Sequence, residues 1–106
     1  MPEPAPGTSA GRFRISPDHP CLPGHFPGRP IVPGVVLLDE AFALVLARLP
    51  GWALAAIGAV KFTSPVLPGH EVEVDYDLIE PDRLRYSCTV AGRAVLRGSA
   101  RLTRIP

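Results

Sequence analysis

Between residues 71 and 103 the chain alternates apolar and polar positions in three successive stretches. In Glu71–Leu78 the acids take one parity, while Val72, Val74, Tyr76 and Leu78 take the other. A period of two marks a strand with one buried face. Arg83–Val90 repeats the pattern, with Leu84, Tyr86, Cys88 and Val90 pointing inward, and Arg93–Thr103 follows. Glu80, Pro81 and Asp82 form one turn and Ala91-Gly92 the next. Three strands joined by short turns predict an antiparallel meander. Upstream, Ala53–Thr63 is a mostly apolar run suited to a central strand, and Pro65–Gly69 is a turn. Gly11–Ile15 alternates and predicts a short strand.

The pattern changes between Val35 and Leu49, where twelve of fifteen residues are apolar and Pro50-Gly51 ends the run. This stretch predicts a helix. Its polar residues are Asp39, Glu40 and Arg48. At 100° per residue they project near about 0°, 100° and 180° and form no compact stripe. A helix apolar on nearly every side is expected to be buried on nearly every side. One such helix with about five strands predicts an α+β domain, its sheet wrapped around the helix. A single sheet leaves part of the helix open, so a partner subunit is expected to complete the burial.

A chain of 106 residues is one domain. Residues 1–10 read as a disordered leader, rich in Pro, Gly and Ser, ahead of a single domain over 11–106. Six prolines lie in residues 16–34: Pro17, Pro20, Pro23, Pro27, Pro30 and Pro33. Neither a helix nor a central strand tolerates that density, yet each ring fixes one φ angle, so the segment reads as a stiff loop.

A net charge of +1 gives no global case for nucleic acid. Local charge is less even. Residues 71–82 hold six acids and no base, and residues 83–106 hold six arginines and no acid. A basic C-terminal face suits an acidic partner. The plainer expectation pairs outward Glu73, Asp75 and Asp77 with Arg85, Arg93 or Arg97 on neighbouring strands. Cys21 and Cys88 fit no metal or redox spacing and read as reduced thiols. With no secretory signal and no apolar run long enough for a bilayer, the expectation is a soluble cytoplasmic protein, with no membrane or nucleic-acid partner.

Three residues carry the candidate chemistry. Asp39 places a carboxylate in an apolar helix, where loss of water raises an acid's pKa and readies it to give up a proton at neutral pH. His25, held in the proline loop, titrates near neutrality and suits a base. Gly34 stands where the helix begins, where free N–H groups stabilise charge growing on a carbonyl oxygen. Each also has a purely structural reading: a solvated helix edge, a histidine bonded to a loop carbonyl, a helix-entry glycine. His19 and His70 complete no metal-ligand spacing and read as surface or turn residues.

The run from Gly24 to Val35, with His25, Phe26, Pro27, Gly28, Pro30, Pro33 and Gly34 in register and an acid fourteen residues after the histidine, resembles the hotdog-fold 3-hydroxyacyl-acyl-carrier-protein dehydratases. Val60–Gly69 and Gly98–Leu102 are similar to later blocks of that family, so the likeness covers about residues 11–104. The short chain is nearest to compact stand-alone members of the aryl polyene or polyketide-like type. The resemblance implies a hotdog fold with His25 as catalytic base and Asp39 as acid. It also implies that Gly34 binds the thioester carbonyl, with Phe26, Pro33 and Val35 against the substrate. It further implies a site shared across a homodimer or higher homo-oligomer, an acyl carrier protein as partner and an acyl group on a phosphopantetheine arm. No metal or bound cofactor is implied. The implied reaction removes water from a 3-hydroxyacyl thioester to leave the trans-2-enoyl product. The alternatives are an acyl thioesterase, with Asp39 activating water, and a non-catalytic module that binds acyl carriers.

Overall fold

The computed structural model describes residues 6–18 and 31–106. The element order is β1 (Thr8–Arg14), α1 (Gly34–Ala47), β2 (Trp52–Phe62), β3 (Glu71–Glu80), β4 (Arg83–Val90) and β5 (Arg93–Arg104). All five strands join one antiparallel sheet in the order β1-β3-β4-β5-β2. A single helix lying on such a sheet is the hotdog arrangement.

The meander forms as its alternation predicts. Val72, Val74, Leu84, Tyr86, Cys88, Leu96, Ala100 and Leu102 are buried on the helix side. Ala91 and Gly92 join β4 to β5 as a two-residue loop, both at positive φ (50° and 81°). That geometry fits the right-handed twist of the strands it connects.

The outer strands depart from the sequence expectation. β1 begins at Thr8, inside the span expected to be a leader, because Thr8 and Ser9 pair with Tyr76 and Asp75 and Ala10 is buried. Among the described residues β2 is an edge strand, not a central one, since it pairs there with β5 alone. Its apolar run is not buried on both faces: residues 55–59 are all exposed. A bulge sets Gly58 and Ala59 between the Ile57–Ala100 and Val60–Gly98 pairs.

The helix is also less buried than its composition suggests. Leu37, Ala41, Phe42 and Val45 face the sheet. The Phe42 ring meets Tyr86 edge-on, with centroids 4.9 Å apart. Val35, Asp39, Ala43 and Ala47 form an exposed stripe on the opposite side. Spacing of four residues puts them on one face, and a sheet covers only one face. The helix stops at Ala47, where Arg48 and Leu49 donate to the carbonyls of Val45 and Leu46 and tighten the last turn.

Charge pairing follows strand order. Arg85 of β4 meets Asp77 of neighbouring β3 at 3.1 Å, as expected. Arg93 and Arg97 do not reach the β3 acids, because β4 lies between and two strand spacings are about 10 Å. Glu71 is instead engaged from β1, by Arg12 and Arg14, each at 3.0 Å. The Arg14 hydrogen bond is the main cause that holds the Glu71 carboxyl below its ordinary pKa.

Candidate active site

Gly34 begins α1 directly after Pro33, whose extended backbone (φ −59°, ψ 143°) turns the chain into the helix. The Pro33 carbonyl accepts from the N–H groups of Val36 and Leu37 at 3.0 and 3.3 Å. Among the described residues no side chain caps the helix, and its first turn holds no acid. Among the described residues nothing accepts from the N–H groups of Gly34 or Val35. The positive end of the helix dipole is thus open to an electron-rich oxygen.

A cavity of about 450 Å³ opens beside this helix end, with Ile31, Val32, Gly34 and Leu37 on one side and Phe62 to Val66 on the other. Its two walls are stitched by the Val32 N–H, which donates to the Val66 carbonyl at 2.9 Å. Thr63 anchors the second wall to β5, through its N–H to the Val95 carbonyl and its hydroxyl to the Ala94 carbonyl. Phe62 is half exposed, and its ring lies on the Gly34 Cα. A side chain at position 34 would meet that ring, so glycine is what lets ring and helix end approach each other.

Asp39 lies five residues further along α1, about 7.5 Å by helical rise. It is exposed, which corrects the expectation of a buried acid. Within one chain it does not line the cavity, and among the described residues it has no ion-pair partner. Val35 is on the same exposed face, and Pro33 flanks Gly34. His25 and Phe26 fall outside the described residues, as do His19 and Cys21. The structure therefore brings Gly34 together with Phe62, Thr63 and Ser64, to which the sequence assigns no chemistry. The signal for them lay in the Val60–Gly69 block, which carries no titratable pattern of its own apart from Lys61 and so stood out only by resemblance.

The other reactive side chains lie elsewhere. Burial pushes the Cys88 thiol up to about 12, and it remains a free, buried core residue rather than a nucleophile. Burial likewise raises the Tyr86 hydroxyl to about 12. His70 has a turn role, its Nδ1 accepting from the Leu67 N–H at 3.2 Å. Among the described residues no three His, Cys, Asp or Glu side chains gather as metal ligands, and no helix is long and apolar enough to cross a membrane.

Comparison with known proteins gives a consistent picture. A family described as ApeI-like, ApeI dehydratase, matches residues 4–99. The 3-hydroxyacyl-[acyl-carrier-protein] dehydratase FabZ of Haemophilus influenzae is 40% identical over 78 residues, 65% of this chain and 53% of FabZ. The chain thus spans about half the length of the curated relatives it matches. Among solved structures, the dehydratase heterocomplex ApeI:P from Xenorhabdus doucetiae superposes with a TM-score of 0.76 at 25% identity, covering 88% of this chain and 84% of that one. An uncharacterised protein from Erwinia carotovora subsp. atroseptica gives 0.76 at 28% identity, covering 89% and 81%. The fluoroacetyl-CoA thioesterase FlK shares the fold alone, at 17% identity and a TM-score of 0.68, over 99% of this chain and 90% of that one.

Proposed function

Because the chain belongs to the ApeI-like dehydratase family, we propose that it dehydrates a 3-hydroxyacyl thioester on an acyl carrier protein to the trans-2-enoyl thioester. The observation that carries this reading is the open N-terminus of α1 at Gly34, facing a cavity of about 450 Å³. The thioester carbonyl sits there, and the N–H of Gly34 stabilises the charge that grows on its oxygen as the α-proton leaves. His25 takes that proton. Asp39 gives a proton to the β-hydroxyl, which departs as water. Bond changes balance: the α C–H and the β C–O break, and a C=C forms. Pro33, Val35 and Phe26 flank the acyl chain. The chemistry uses no metal or bound cofactor beyond the phosphopantetheine that carries the substrate.

The single chain leaves Asp39 outside the cavity, and a homodimer supplies the remedy. What supports it is the exposed helix stripe through Val35, Asp39 and Ala43, together with the apolar edge strand β2, whose Ile57 is exposed. An unpaired apolar edge is normally paired or covered. In a dimer Asp39 of one subunit completes the site around Gly34 and His25 of the other. A cytoplasmic location fits the free Cys88 thiol.

Mass spectrometry of a carrier loaded with a 3-hydroxyacyl chain tests the reaction. Loss of one water without loss of the acyl group is the expected result. Release of free acid from both hydroxylated and saturated acyl thioesters, with no enoyl product, replaces it with the thioesterase reading. No change in any thioester leaves a binding module.

A further inference from the structure

Phe62 closes β2, and its place in the register decides where its ring goes. It is the cross-strand partner of Leu96 on β5. Partners share a face, and Leu96 is buried on the helix side of the sheet. The Phe62 ring therefore stands on the helix side too, where it reaches the first residue of α1. A Cβ built on Gly34 would meet Cζ, Cε1 and Cε2 of that ring at 2.6, 2.8 and 3.3 Å, and these atoms are its tip. The tip abuts the helix start, while half of the residue stays exposed. Among the described residues Phe62 is the only aromatic side chain that lines the cavity. Val32, Leu37 and Val66 form the buried apolar wall across from it.

The backbone behind the ring is fixed by the two hydrogen bonds of Thr63 to β5. The fold thus holds an open aromatic ring beside two helix-start N–H groups, those of Gly34 and Val35, that have no acceptor among the described residues. A ring next to an open donor matches one functional group in particular. A carbonyl oxygen that accepts from the Gly34 N–H stands about 2.9 Å from that nitrogen. The nitrogen is about 1.5 Å from the Cα on which the ring rests. In a thioester the sulfur is bonded to the same carbon as that oxygen. It then falls within about 5 Å of the ring, the separation at which a divalent sulfur and an aromatic ring attract. An ester oxygen in the same place is less polarizable and gains no such contact.

We propose that Phe62 selects a thioester over an oxygen ester at this site, holding the sulfur against its ring while the Gly34 N–H holds the carbonyl oxygen. The inference rests on the dehydratase reading above, from which it takes the acyl thioester as ligand. The C–S bond survives dehydration, so the contact is the same before and during the reaction. It strengthens ground state and transition state equally and shows in KM rather than in kcat.

The test uses acyl pantetheine in two forms, the thioester and the isostere in which oxygen replaces sulfur. With a saturated acyl chain, which has no β-hydroxyl to lose, binding is read directly by calorimetry. The parent chain is expected to hold the thioester about fivefold tighter than the oxygen ester. Phe62→Leu keeps an apolar side chain and removes the ring, and it brings the two affinities together by weakening the thioester alone. Phe62→Tyr restores the preference. With the 3-hydroxyacyl thioester, Phe62→Leu raises KM about fivefold and changes kcat by less than about twofold. Equal affinity of the parent for both ligands overturns the proposal without any variant. An equal loss for both ligands in Phe62→Leu also overturns it, since the ring is then only a wall, as does a Phe62→Tyr chain that stays indifferent to sulfur. A ring-dependent preference for the thioester in a chain that forms no enoyl product refutes the dehydratase reading and retains the role of Phe62. Enoyl product without that preference does the reverse.

Discussion

The ring of Phe62 rests on the Cα of Gly34 so closely that a Cβ at position 34 would come within 2.6 Å of its Cζ. The edge strand and the helix start are thereby locked together over the cavity. Gly34→Ala forces the ring away, since backbone at a helix start yields less readily than a half-exposed side chain. Thermal stability should change by no more than about 1 kcal/mol, because alanine also favours the helix. Dehydration should fall by about 10-fold or more as the donor at position 34 loses its geometry. Adding Phe62→Leu to Gly34→Ala should restore part of that loss, measured as enoyl product per minute.

If the site is shared across a homodimer, as proposed above, two inactive chains complement each other. His25→Ala and Asp39→Asn should each lose about 10²–10⁴ in kcat. Asp39 is exposed in the single chain. Its replacement should therefore alter monomer stability by less than about 0.5 kcal/mol. Refolding the two variants as an equal mixture should return about one quarter of the parent activity, because half the dimers then hold one intact site. A mixture as inactive as its components places both residues in one chain.

Tyr86 is 1% exposed and its hydroxyl has no partner among the described residues. Burial keeps it protonated, with a pKa raised to about 12. Removing an unsatisfied buried hydroxyl relieves a desolvation cost of about 1–3 kcal/mol. Tyr86→Phe keeps the ring contact with Phe42 and should leave the melting temperature equal or higher. A marked drop would reveal a hydrogen bond to the hydroxyl.

Two carboxylates on β3 should respond to pH with opposite signs. Glu71 has a lowered pKa, chiefly through the Arg14 hydrogen bond, so it stabilises the fold at neutral pH and that contribution fades as pH falls through its folded pKa. Asp75 has a raised pKa, through burial and then the neighbouring Glu73 charge. Its folded form binds the proton more tightly than the unfolded chain does, so its contribution to stability declines as pH rises through that window. Glu71→Gln should lower, and Asp75→Asn should raise, the denaturant midpoint at pH 7. Both differences should shrink towards pH 3.

Ala91 holds a positive φ of 50° in the β4–β5 turn. A residue with a Cβ pays about 1–2 kcal/mol for that region. Ala91→Gly or Ala91→Asn should raise stability by about 0.5–1 kcal/mol. Activity should be unaltered, since the turn touches neither the cavity nor α1.

The meander was legible because its strands alternate and its turn residues punctuate them, both local properties. The edge position of β2 was not. Residues 53–63 are apolar enough to suggest a strand covered on both faces, and strand order depends on pairings 34 to 52 residues apart. Asp39 was legible as an unusual residue from its neighbours, but its exposure was not, because helix composition does not say how many faces the fold covers. Phe62 carries no titratable group, and its place on Gly34 follows only once β2 and α1 meet. His25 drew notice from the proline loop that holds it, and it lies outside the described residues.

The strand order β1-β3-β4-β5-β2 places the two elements that flank α1 in sequence at opposite edges of the sheet. The segment with the candidate chemistry therefore spans the sheet from one margin to the other. Neither margin is secured locally: β1 waits for β3, and β2 waits for β5, from which β3 and β4 separate it in sequence. Contacts so distant along the chain close late. A ribosome-bound chain that has exposed Gly34 and Phe62 still lacks the β5 partners that hold the Phe62–Val66 wall, so the cavity closes only after β5 has paired.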